Sequence, residues 1–213
     1  MAKAKRFWMQ PFPDDMTSRF QVLGFAVIEH ALTDDDLLEI EGMFPLMAAR
    51  VPGARASDFS ASALARLASH DGLRQVAKTL AGVGSEVEIL KLSRVLAFDK
   101  SPAANWFVPW HQDRSENGHD RTCAQLEATV ALRVHLDDCD EDNGPIEFIP
   151  GSHTLGRLDA SAITQLAAER SPLLCLAVRG DIVAMRPLAV HRSQRARVPR
   201  ARRVLHLEYT PSR

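Results

Sequence analysis

Apolar positions recur at helical spacing early in the chain and at strand spacing later. After Thr33 the residues Leu37, Leu38 and Phe44 return at roughly helical intervals. Thr33 can cap free backbone N–H groups, and Asp34, Asp35 and Asp36 bring negative charge to the first turn. Pro45 kinks or ends that helix. Helical text resumes over residues 60–82 in "ALARLASH" and "GLRQVAKTLAG", with Ser60 or Ser62 and Asp71 as candidate caps. Ahead of these helices "RFQVLGFAVIE", residues 19–29, is apolar and β-favouring around Gly24, and reads as one strand or two short ones.

Beyond Gly84 the period shortens towards two. "EVEILKLSRVLAFD" carries Val87, Ile89, Leu92, Val95 and Leu96 in imperfect alternation, and further strands are expected over residues 105–110, 127–136, 146–149, 173–178, 181–185 and 202–209. Asn143-Gly144 can supply the positive φ values of a tight hairpin between the strand ending at Leu136 and "PIEFIP". Residues 160–170 read as a short helix, too isolated to provide the crossovers of a parallel α/β sheet. The pattern is therefore mainly β. It predicts an antiparallel double sheet over residues 85–209, buttressed by helices mainly at 33–82, in one domain spanning 1–213.

Composition narrows the setting. A chain of 213 residues can bury one sizeable core, and a hydrophobic fraction of 46% with 25% charged residues is that of a globular protein. No stretch approaches the roughly 20 apolar residues of a membrane span, and "MAKAKRFWMQPFPDD" lacks a signal-like apolar run, so a cytoplasmic location is expected. Cys123, Cys139 and Cys175 show no CxxC pattern, which disfavours structural zinc and a disulfide framework. Arg192, Arg195, Arg197, Arg200, Arg202 and Arg203 form a basic cluster, but the net charge is −1 and no nucleic-acid-binding motif accompanies it. A solvated loop or recognition of a small anion accounts better for the run.

The chemistry concentrates in "VPWHQDRS". In extended backbone His111 and Asp113 point to one side and can reach a common ion. HxD alone is short and weak, and a hydrogen-bonded strand end explains it equally well. A third ligand is needed, and His191, at the end of "GDIVAMRPLAVH", is the best candidate. Two histidines and one carboxylate occupy a face of an octahedral metal and leave positions open, a geometry that favours non-heme Fe(II) and tolerates zinc. A keto acid such as 2-oxoglutarate would need a cation for its far carboxylate. Arg202, opening the last strand, suits that task through paired charge-assisted hydrogen bonds, whereas its neighbour Arg203 should face the opposite way. Ser193 is a companion contact, and Lys91 and Gln125 are weaker candidates. Trp110 and Arg133 are candidate substrate contacts, each with a structural alternative in core packing or strand-edge pairing.

Together, "FDKSPAANWFVPWHQD", "LDDCDEDNGPIEFIPGSH", "GDIVAM", His191, Ser193 and Arg202 resemble the phytanoyl-CoA dioxygenase-like family of Fe(II)- and 2-oxoglutarate-dependent oxygenases. The resemblance covers roughly residues 85–209. It implies a double-stranded β-helix of the jelly-roll or cupin type, with iron on His111, Asp113 and His191 and the far carboxylate of 2-oxoglutarate on Arg202 and Ser193. It also implies hydroxylation of a small organic substrate by molecular oxygen, with succinate and CO2 formed and ascorbate as a supporting reductant; the two arginine-bearing regions and nearby aromatics suit an anionic or zwitterionic one. Asp113 argues against the halogenating relatives, in which a small residue replaces the carboxylate. "HRSQRARVPRARR" departs from the family's usual glycine-rich text after the second histidine. Two other readings use the same residues: a mononuclear metal enzyme that does not use 2-oxoglutarate, and a non-catalytic ligand-binding protein on this scaffold.

Overall fold

The computed structural model describes residues 15–44, 54–55, 59–81, 90–116 and 119–212. Its helices are α1 (Met16–Leu23), α2 (Asp34–Met43), α3 (Ala61–Ser69), α4 (Asp71–Leu80), α5 (Cys123–Glu127) and α6 (Ala160–Glu169). Its strands are β1 (Phe25–Ile28), β2 (Ala54–Arg55), β3 (Leu90–Lys100), β4 (Val108–His111), β5 (Ser115–Glu116), β6 (His119–Asp120), β7 (Val130–His135), β8 (Ile146–Phe148), β9 (Leu173–Cys175), β10 (Ile182–Met185), β11 (His191–Ser193) and β12 (Arg202–Pro211).

Two antiparallel sheets form the double-stranded β-helix. The major sheet runs β1-β10-β7-β12-β3-β2 and the minor sheet β4-β11-β8-β9. The outer face of the major sheet, including Val130, Leu132, Val134, Leu205, Leu207 and Tyr209, buries its side chains with Phe20 and Ile40 and with Leu67, Leu73 and Leu80 of α3 and α4. Its inner face meets the minor sheet, where Phe25 stacks on Phe148 at 4.2 Å between ring centroids. Burying a side chain of that size stabilises the fold by roughly 1.5–3 kcal/mol. α6 covers the outside of the minor sheet through Ile163 and Leu166, packed with Ile149 and Val190.

Thr33 caps α2 as expected, in a reciprocal capping box with Asp36. Ser60 caps α3, whereas α4 is capped by the His70 ring, which accepts from Leu73 N, and not by Asp71. Residues 19–29 are not all strand. Gly24, at φ +84°, ends α1 in the left-handed conformation and its N–H donates to Phe20 O, so only Phe25–Ile28 is extended. The expected strand at 105–110 starts at Val108, and that at 127–136 starts at Val130, because Glu127 ends α5, which Thr122 caps, and Ala128 is its C-cap. Asn143-Gly144 does not close a tight hairpin, because β7 and β8 belong to different sheets. Instead Gly144, at φ +64°, lies where a Cβ would come within 2.6 Å of Gln194 O. Asn143 ties the loop together through Asp138 O, Ala201 O and Arg200 N. Val87, Ile89 and Pro45 lie outside the described residues.

Candidate metal centre and co-substrate pocket

The metal-ligand candidates come from the minor sheet. His111 ends β4, His191 opens β11, and the two are cross-strand partners. Gln112 turns away from them: its amide donates to Gly156 O and Leu188 O at 2.8 Å each and its Oε1 accepts from Leu158 N at 2.9 Å. Asp113 N donates to Pro187 O at 2.9 Å, so the chain just past β4 is fixed on both sides of the carboxylate. His111 Nε2 lies 3.7 Å from Asp113 Oδ1 and His191 Nε2 lies 3.9 Å from Asp113 Oδ2. One ligand atom from each of the three falls within 4.8 Å of the others.

The donor set fits a divalent metal. His111 Nδ1 is 2.8 Å from Pro109 O and His191 Nδ1 is 2.9 Å from Ala189 O. A carbonyl can only accept, so each Nδ1 carries a proton and each Nε2, the ring nitrogen that faces Asp113, is left for the metal. Burial, with His111 beside it, pushes the His191 pKa down to about 3, which keeps that imidazole neutral. Burial acts in the same sense on His111, but the hydrogen bond and charge of Asp113 outweigh it and raise its pKa. Burial opposes ionisation of Asp113, yet the His111 hydrogen bond and the two imidazoles hold its carboxyl well below the usual range. With a metal in place of the His111 Nε2 proton, two imidazole nitrogens and an anionic oxygen donor suit Fe(II).

The cations come from the major sheet, across a cavity of about 110 Å³ whose wall includes Phe98, Trp106, Arg133, Ser193, Arg202 and all three metal-ligand candidates. Lys100 at the end of β3 is 2% exposed, Arg202 at the start of β12 3%, and Arg133 on β7 8%, so three cations are desolvated together. Two converge on one hydroxyl: Lys100 Nζ donates to Ser193 Oγ at 2.9 Å and Arg202 Nη2 approaches it at 3.5 Å. Lys100 also donates to Gln194 O at 2.8 Å, and Ser193 Oγ donates to Gly144 O at 3.0 Å. Arg202 Nε has no hydrogen-bond partner among the described residues. Burial, with Arg202 adjacent, lowers the Lys100 pKa to about 7. Desolvated cations without a carboxylate partner carry a large free-energy cost that a bound anion offsets, and this pocket fits a carboxylate.

Arg203 faces the other way, as alternation requires, and forms a two-pronged ion pair with Asp137. Lys91 and Gln125 do not reach the cavity: they line a separate one with Arg121 and Thr210, and Gln125 is the reciprocal cap of α5. Trp110 is likewise turned away, packing with the α6 cluster beneath the Arg192 guanidinium, while Trp106 faces the cavity. Lys100 was not among the residues singled out in the sequence; its one local signal is a buried-strand end that closes on a lysine after "VLAFD". The basic run is largely neutralised, since Arg192, Arg197, Arg200 and Arg203 pair with Glu147, Asp142, Asp140 and Asp137.

Fold and donor set together define the class of mononuclear non-heme iron oxygenases. Residues 48–204 match the family described as phytanoyl-CoA dioxygenase (PhyH), and the chain belongs to that family. It is 39% identical over 54 residues to L-proline trans-4-hydroxylase of Streptomyces griseoviridis, a match spanning 25% of this chain and 20% of that relative. The fold is similar to the crystal structure of AviO1 from Streptomyces viridochromogenes Tue57, with a TM-score of 0.71 and 20% identity over 92% of this chain and 93% of that one. It is also similar to EctD from S. alaskensis, solved with 2-oxoglutarate and 5-hydroxyectoine, with a TM-score of 0.72 and 20% identity over 97% of this chain and 79% of that one.

Proposed function

We propose that the protein is an Fe(II)- and 2-oxoglutarate-dependent dioxygenase that hydroxylates a small anionic or zwitterionic molecule, forming succinate and CO2. The observation that carries this reading is the placement of a two-histidine, one-carboxylate set opposite two buried cations that share one serine hydroxyl. His111 and His191 would bind iron through Nε2 and Asp113 through its carboxylate. Arg202, Ser193 and Lys100 would receive the far carboxylate of 2-oxoglutarate, with Lys100 taking the part first given to Lys91 and Gln125. When bound, iron and 2-oxoglutarate supply the oxidising equivalents from dioxygen.

The chain's own residues bind, orient and exclude water. Phe98 and Trp106 line the pocket with aromatic surface, and Arg133 offers a guanidinium to an acidic substrate group. The lining of the cavity suits a keto acid with a small substrate beside it. An enzyme using the same metal site without 2-oxoglutarate would leave Arg202 and Lys100 with no anion to offset their burial. The reading treats residues 1–213 as one catalytic domain, because the helices that pack on the major sheet support the strands bearing Arg133 and Arg202. Among the described residues no helix is long and apolar enough to cross a membrane. The proposal adds a cytoplasmic location, where the buried Cys139 thiol stays reduced.

The test is anaerobic titration with Fe(II) and then 2-oxoglutarate, followed by a metabolite screen for substrate-stimulated succinate in air. Saturable binding of 2-oxoglutarate only after metal loading is expected. Turnover that proceeds without 2-oxoglutarate would refute the assignment.

A further inference from the structure

At the cavity wall, which includes His206, a second set of buried ionisable groups takes no part in the roles given above. Glu208 on β12 is fully buried, and it accepts from Arg94 Nη1 at 2.9 Å, Arg121 Nη1 at 2.6 Å and His206 Nε2 at 3.2 Å. Burial disfavours its charge, but the His206 hydrogen bond and the nearby Arg121 guanidinium outweigh it and hold the carboxyl below its usual range. His206 and Glu208 also come close enough to Asp113 to suggest a second metal group. Both Glu208 oxygens already accept from arginines, however, and that local positive charge opposes a second metal.

The geometry gives His206 a different task. With Nε2–H donated to Glu208, its Nδ1 must act as an acceptor, and Arg133 Nη1 lies 3.3 Å from it. Arg133 is thus aimed by a chain that starts at Arg94 and Arg121 and runs through Glu208 and His206. Phe98 braces the guanidinium from the side, 5.0 Å from ring centroid to Cζ. Among the described residues Arg133 Nε is buried without a partner, and the hydrogen bond that Arg133 makes goes to an imidazole nitrogen and not to a carboxylate. A desolvated guanidinium with open donors beside a metal site is built to meet an anion.

We propose that His206 and Glu208 are positioning residues that hold Arg133 to receive a carboxylate of the substrate, so that the site selects an acid over the matching amide. This rests on the oxygenase reading, since it places the substrate beside the metal donors. Zinc(II), which accepts the same ligands without redox chemistry, allows the test without turnover. The zinc-loaded protein is titrated with butyrate and butyramide, with and without the unreactive 2-oxoglutarate analogue N-oxalylglycine. The wild type is compared with Arg133→Met, His206→Phe and His206→Gln. Glutamine can both donate to Glu208 and accept from Arg133, so it is the conservative rescue.

Butyrate is expected to bind in preference to butyramide, to weaken about tenfold or more in Arg133→Met, to weaken severalfold in His206→Phe and to recover in His206→Gln. N-oxalylglycine affinity should stay within about twofold throughout. ¹⁵N spectra of metal-free protein should show His206 protonated at Nε2 with Nδ1 accepting. Equal butyrate binding by wild type and Arg133→Met overturns the anion site, and weakening in Arg133→Met without weakening in His206→Phe overturns the positioning role. Loss of N-oxalylglycine binding by the wild type would instead refute the co-substrate reading, while the titration without that analogue still judges Arg133.

Discussion

His191 sits directly across from His111 in the β4–β11 pairing, with ring centroids 4.1 Å apart. The register of two short strands therefore sets the separation of two metal-ligand candidates that are distant in sequence. A one-residue slip would turn one ring to the opposite face. β11 is also paired on its other side, where His191 faces Phe148 of β8, and Phe148 is stacked on Phe25 of the major sheet. The metal geometry thus rests on the contact between the sheets as well as on the pairing within one of them.

Replacing either histidine by alanine should abolish tight metal binding and leave the fold intact, because both rings sit at the cavity end of the minor sheet. We expect metal affinity to fall by about 100-fold or more, beyond the effect typical of groups that merely support a ligand. Calorimetric titration with Mn(II), together with unchanged near-UV circular dichroism, checks this. Wild-type affinity in His191→Ala would remove His191 from the ligand set.

Arg202→Met should act on the co-substrate and spare the metal. Charge-assisted hydrogen bonds contribute roughly 1.5–3 kcal/mol each, so 2-oxoglutarate affinity should fall by about 10- to 100-fold for each bond lost. Mn(II) affinity, measured alone, should be unchanged. Equal losses of both would indicate a structural role for the arginine.

Lys100 makes co-substrate binding pH-dependent. Its pKa of about 7 leaves it mostly neutral at pH 8, and a carboxylate placed beside it favours the protonated form. Binding of 2-oxoglutarate should therefore take up close to one proton at pH 8 and almost none at pH 6. Affinity should weaken as pH rises above about 7, by up to about tenfold per unit. Calorimetry in two buffers of different ionisation enthalpy measures the proton count, and Lys100→Met should eliminate the uptake.

The candidate metal ligands were legible in the sequence because chemistry and spacing converge there: HxD leaves a strand, and the second histidine precedes Ser193 and Arg202 in a fixed order. Arg202 could be separated from Arg203 by strand alternation alone. The pocket's other cation was not legible, because Lys100 reaches Ser193 only after β3 and β11 meet across the two sheets. Lys91 and Gln125 had suitable chemistry but sit at the wrong end of the major sheet. Trp110 and Trp106 were indistinguishable until β4 placed one under α6. The early apolar run misled because a buried helix and a buried strand look alike over a few residues, and Gly24 is the point where one becomes the other. In β7 both faces are buried, Val130, Leu132 and Val134 under the helices and Ala131, Arg133 and His135 towards the cavity, so no polar face marks the alternation.

Gly144→Ala should damage both stability and the co-substrate pocket. The residue sits at φ +64°, a Cβ would approach Gln194 O to 2.6 Å, and its carbonyl accepts from Ser193 Oγ. Left-handed backbone in a non-glycine residue costs on the order of 1–3 kcal/mol, and relief of the contact must displace Gln194, the residue whose carbonyl also holds Lys100. We expect destabilisation of about that size in urea melts, accompanied by weaker 2-oxoglutarate binding. A variant with full stability and full affinity would show that this turn does not set the pocket.

The buried His135 ring should make the protein acid-sensitive in a defined window. Burial, with Arg133 and Arg202 nearby, lowers its pKa from 6.5 to about 3. Between those values the unfolded chain holds a proton on this imidazole and the folded chain does not, so protons favour unfolding. Stability is therefore complete above about pH 6.5 and falls as pH drops towards 3, by about 1.4 kcal/mol per unit for a single group. The metal-free protein should lose stability on the order of a few kcal/mol between pH 7 and pH 4.5, with His191 adding to the slope because its pKa is also about 3. Urea denaturation at several pH values gives the slope. His135→Leu should reduce it by one proton's worth, and an unchanged slope in that variant would mean that His135 is already protonated in the folded state.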